Sequence, residues 1–146
     1  MKYVYIVVIM FLLSIKVAAE VISSSLLAGT TWEEVDLQKK IIHRDTISFS
    51  SSTLIKRSFF PRIDMTVEKQ FDYYLSDNVP ECFDSTLVGT ETRGNYLVTY
   101  CKKPRGMSYC EIRSLDLNTG DLYLYFEMRP GVIGGRDITT HYKLIK

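Results

Sequence analysis

The chain has 146 residues, 46% of them hydrophobic and 24% charged, with a formal net charge of +1. That length suits one domain around one core. Acids and bases nearly balance, and no run of like charge exceeds two residues, which excludes the basic stripe a phosphate backbone requires and with it nucleic-acid binding.

The N-terminal stretch reads as an export signal. Lys2 precedes an uninterrupted apolar run over 3–13, too short for the roughly 20 residues of a membrane-spanning helix. Val17, Ala18 and Ala19 place small residues where a signal peptidase reads them, so cleavage is expected after Ala19. An uncleaved anchor is the alternative, because Lys16 lies close behind the run. Cleavage would remove Lys2 and Lys16 but no acid, turning the formal charge to −1 from +1. A thioether-linked lipid needs a cysteine directly after the cut, and the first cysteine is Cys82. The sequence therefore predicts a periplasmic or secreted protein, neither lipid-anchored nor membrane-embedded once mature. It divides into a signal peptide (1–19), a lead-in (20–29) and a β domain (30–146).

From Thr30 onward the apolar pattern has mostly period two, the mark of half-buried strands. Strands are predicted over 31–37, 45–50, 53–60, 65–75, 81–87, 95–102, 108–117, 122–128 and 137–145. In the fourth, Met65, Val67, Phe71, Tyr73 and Leu75 share one face with Lys69, and polar residues dominate the other. Ser50 to Ser52, Arg105-Gly106 after Pro104, and Asn118 to Asp121 are apt hairpin turns, while Gly131 and Gly134-Gly135 mark a longer connection. Only 33–42 carries a weak helical period. Eight or nine strands joined mainly by hairpins form an antiparallel meander. An open sheet of that size leaves two edges and a half-covered apolar face, which closure removes. The expected fold is all-β, an up-and-down barrel, with a two-sheet β-sandwich as the alternative.

With Gly29-Thr30-Thr31-Trp32 opening the first strand before such a meander, the chain resembles the lipocalin-like, or calycin, proteins. Those carry Gly-x-Trp at this point, and this chain has one extra residue between. Tyr73 to Asp77 and Ile133 to Thr139 are similar to segments of exported lipocalin-like proteins of Bacteroidetes. The resemblance implies a barrel with an internal cavity and names no ligand.

Among the cysteines, Cys101 and Cys110 face each other if Arg105-Gly106 is a two-residue turn, within reach of a cross-strand disulfide. A structural staple is the plain reading, a redox-sensitive bridge and two reduced, packed thiols the others. Cys82 is then the odd thiol, with no base beside it. His43 and His141 are the only histidines, and no partner stands at a metal-ligand spacing, so no metal and no cofactor are expected. No nucleophile with a base, and no pair of acids forced together, points to catalysis.

The aromatics carry the functional hint. Trp32, Phe71, Tyr73, Tyr96 and Tyr100 are the candidate ligand-binding residues, lining a pocket with apolar bodies and orienting hydroxyls. Equally, the aromatics could fill a small barrel solid; a third reading puts Tyr123 and Tyr125 outside, as a patch for a protein or glycan. The expected function is non-covalent binding of a small apolar or amphipathic ligand. The alternative is a solid-core accessory protein that binds another protein through its outer face or loops.

Overall fold

The structure, a computed structural model, describes residues 21–35, 42–102, 107–126 and 139–146. The expected signal peptide and Ala19 cleavage point, the expected Arg105-Gly106 turn, the Gly131 and Gly134-Gly135 connection and most of 33–42 lie outside the described residues.

A single helical turn, α1 (Ser24–Leu27), is followed by eight strands: β1 (Thr31–Glu34), β2 (Arg44–Phe49), β3 (Thr53–Phe60), β4 (Met65–Ser76), β5 (Tyr96–Cys101), β6 (Tyr109–Asn118), β7 (Asp121–Phe126) and β8 (Thr139–Leu144). Each pairs antiparallel with its neighbours in sequence, and β8 pairs back onto β1, so the meander closes into a barrel. No sandwich forms. The reason is visible in the alternation, which supplies one continuous apolar inner face. Trp32, Ile47, Phe49, Leu54, Phe71, Tyr73, Leu75, Leu97, Leu115, Leu122, Leu124 and Tyr142 are all buried there.

One end of the barrel is sealed. Ile22 and Leu27 reach under it from the lead-in and pack in the same core as Trp32. The indole Nε1–H of Trp32 donates to Thr30 Oγ1 at 2.7 Å, and that hydroxyl donates to the Leu27 carbonyl at 2.6 Å. Tyr73 donates its hydroxyl proton to the Ser50 carbonyl at 2.7 Å. Buried aromatics with every polar tip satisfied make a dry plug.

The predicted strand over 81–87 does not form. Its residues belong to a long strap, 77–95, whose Asp84 caps a 3₁₀ turn, Ser85–Leu87, by accepting from Thr86 N at 2.9 Å and Thr86 Oγ1 at 2.6 Å. The local side-chain cap competes with a ladder and wins. The strap's apolar residues serve instead as a cover: Phe83, Leu87 and Val88 pack on Tyr74, Val98 and Ile112, on the outer wall of β4 to β6. Phe83 stacks on Tyr100 with ring centroids 4.9 Å apart.

The expected disulfide is also corrected. Across β5 and β6 the register pairs Tyr100 with Cys110 and Cys101 with Tyr109, one residue away from the register a two-residue turn imposes. A slip of one exchanges the faces. Cys101 therefore points into the barrel and is buried, whereas Cys110 stands on the outer wall among the residues beneath the strap, and the two do not join.

Candidate functional site

Opposite the plug, the described residues of the barrel form a cup, and its lining changes character. At the plug end the inward positions are apolar; toward the mouth they become Glu34 on β1, Asp45 on β2, Lys56 and Ser58 on β3, Lys69 on β4, and Glu111 and Arg113 on β6. Among the described residues, three adjoining cavities in this half are all lined by Lys56 and Arg113. The throat, about 50 Å³, lies among Ile47, Leu54, Phe71, Leu97, Leu124 and Tyr142, with Thr99 and Glu111 also in its wall. Above it, one lobe of about 210 Å³ is bordered by Glu34, His43, Asp45, Phe126, Thr140 and Tyr142. The other, about 150 Å³, is bordered by Ser58, Val67, Lys69, Phe71, Tyr109 and Glu111.

Charges at inward positions must be paired to survive partial burial. Lys56 Nζ meets Asp45 Oδ2 at 2.6 Å, and Arg113 Nη2 meets Glu111 Oε2 at 3.1 Å. Burial alone would push the Asp45 carboxyl up. The Lys56 ammonium, the Ser58 hydroxyl and the charge of His43 outweigh it and hold that carboxyl below the usual carboxylate range. Burial, with the Glu34 carboxylate beside it, pushes the Tyr142 phenol well above its ordinary value. Tyr109 is pushed up to about 12 by burial and by its hydrogen-bonded neighbour Cys101. These phenols are neutral donors at physiological pH.

Of the five aromatic candidates, Phe71 lines the cup. Trp32 and Tyr73 belong to the plug. Tyr96 and Tyr100 face outward beneath the strap, Tyr96 against the outer cluster and Tyr100 against Phe83. Tyr123 and Tyr125 alternate with the buried Leu122 and Leu124 and so stand on the outer wall, where the Tyr123 ring stacks on His141 at 4.4 Å. Sequence reasoning missed the polar half of the site. A signal for it existed in Lys69, a lysine sharing the apolar face of β4. Another was His43-Arg44-Asp45, which puts two ligand-type side chains two residues apart on one face.

An eight-stranded antiparallel barrel with one plugged end and, among the described residues, a cavity-lined half opposite it is compatible with the lipocalin-like fold. No family model, no curated protein and no solved structure matches the chain, so no kinship with Bacteroidetes lipocalin-like proteins is established. Among the described residues, no helix is long and apolar enough to cross a membrane.

Proposed function

We propose that the protein is an exported carrier that holds a small amphipathic molecule, with an acidic head group in the cup and its apolar end in the throat. The observation that carries this reading is the composition of the 150 Å³ lobe, where Lys56, Lys69 and Arg113 face a single acid, Glu111, directly above the apolar throat. A carboxylate entering there would share Lys56 with Asp45 and Arg113 with Glu111, and the planar fork of Arg113 has donors enough for two acids. Each lobe falls below the ~300 Å³ at which drug-sized pockets begin, so the ligand is a short-chain acid rather than a long lipid. Export rests on the apolar run and the Val17-Ala18-Ala19 site.

Calorimetric titration with linear monocarboxylates of increasing length, beside the matching alcohols, tests this. One saturable site is expected for the acids, with alcohols and the Arg113→Gln variant weaker by about 10-fold or more, the worth of a charged hydrogen bond. Alcohols that bind as well as the acids, or no saturable binding, overturn it.

A second reading rests on a separate observation. Ile42, Ile63, Met65, Met107 and Phe126, large and exposed, all belong to the hairpin ends around the mouth. An apolar rim of this kind suits a protein partner seated over the cup. Ile63→Ser with Met107→Ser would abolish such a contact and leave acid binding intact.

A further inference from the structure

The 210 Å³ lobe holds a constellation that carboxylate binding does not use. Glu34, His43 and Asp45 each offer a ligand atom, all within 4.8 Å of one another. The fold brings them together for simple reasons. Continuing the β1–β2 register, in which Glu33 faces Thr46, sets Glu34 opposite Asp45 on the inner face. His43 precedes Asp45 by two residues and shares that face, its ring tilted against Phe60 at 5.7 Å.

A second observation points to what the cluster lacks. Asp45 is only 3% exposed, and its Oδ1 is the one buried side-chain oxygen or nitrogen without a hydrogen-bond partner among the described residues. A buried carboxylate oxygen without a partner is destabilising, whereas the other oxygen, Oδ2, meets Lys56 Nζ at 2.6 Å and His43 Nε2 at 3.7 Å. No solvent reaches Oδ1. A water there needs an oxygen–oxygen distance of about 2.7–2.8 Å, whereas a bare divalent cation sits about 2.0–2.2 Å from its ligands. A cation can therefore approach such an oxygen more closely than a water can.

We propose that Asp45 through Oδ1, Glu34 through its carboxylate and His43 through its imidazole bind a divalent first-row transition ion of the zinc class. One nitrogen and two carboxylates suit such an ion better than calcium or magnesium, which prefer all-oxygen shells. Ligands on a tetrahedral ion lie roughly 3.4 Å apart, so atoms that now lie within 4.8 Å of one another draw in by up to about 1.4 Å on binding. Lys56 opposes the ion by its charge, yet its side chain is 37% exposed and free to withdraw into solvent.

The site stands independently of the acid-carrier reading, and one variant separates them. Lys56→Gln removes a positive charge from both lobes, so it should tighten metal several-fold while weakening a carboxylate. Zinc(II) alone is titrated into the purified protein in a non-coordinating buffer, with stoichiometry from elemental analysis after dialysis. One ion per chain is expected, weakened by about 10-fold or more in His43→Ala and in Asp45→Asn, and unchanged in His141→Ala, which alters the outer wall. Cobalt(II) in the wild-type protein should give visible bands of nitrogen and oxygen ligation, a readout that does not depend on any variant folding. Thiolate-to-cobalt charge transfer, the absence of saturable binding, or zinc binding indifferent to both ligand variants would overturn the assignment.

Discussion

At the scale of single residues, the three thiols show how face decides chemistry. Cys82 is exposed on the strap, Cys110 is half-covered beneath it, and Cys101 is buried inside the barrel. A thiol is attacked only where a reagent reaches it. A thiol reagent applied to the folded protein should therefore label Cys82 first and Cys110 more slowly. Cys101 should react only after denaturant is added, as read by intact mass and peptide mapping. Rapid labelling of Cys101 in the native state would contradict its inward placement. Nothing in the sequence distinguishes Cys101 from Cys110, because the distinction depends on one residue of register set by a turn. For Asp45 the sequence offered only its spacing from His43, and an acid in a half-polar strand reads as solvent-facing until the opposite strand is placed.

At the scale of elements, much was legible. β3 runs over the residues the alternation predicts, β4 is longer by one, and β5 lies within its predicted span. The strap was not legible as such. Phe83, Leu87 and Val88 supply strand-like apolarity, but the competing cap at Asp84 is a three-residue interaction that periodicity does not weigh. What anchors the strap's far end is a close backbone approach. Gly94, at φ 141°, lies so near β4 that an added Cβ would meet the Ser76 carbonyl oxygen at 2.0 Å, and its N–H donates to the Ile22 carbonyl at 2.9 Å. Gly94→Ala should cost more than about 3 kcal/mol, among the larger effects of single substitutions. Gly120→Ala, at φ 78° in the open β6–β7 turn, should cost only about 1–2 kcal/mol. Denaturant midpoints of the two variants check the difference, and equal losses would remove the case for the close approach.

At the scale of the whole molecule, the buried phenols tie stability to alkaline pH. Burial pushes Tyr73 up to about 12 and Tyr142 higher still, against about 10 in an unfolded chain. Below pH 10 both states keep these protons, and the contribution is fully present. Between pH 10 and 12 the unfolded chain gives them up while the fold retains them, so stability falls as pH rises. Circular dichroism should show unfolding midpoints steady up to about pH 10 and dropping beyond, with a jump in tyrosinate absorbance at unfolding. Midpoints that hold steady through pH 12 would contradict the burial of these rings. The closure of β8 onto β1, where Thr31 N–H donates to the Lys146 carbonyl at 2.9 Å, has a consequence of another kind. A ring has no spare member: cutting away β8 does not subtract one strand from a stack but unzips two seams at once. The bared flanks of β1 and β7 become adhesive, so such a truncated chain should pass directly from soluble to aggregated, with no smaller barrel between.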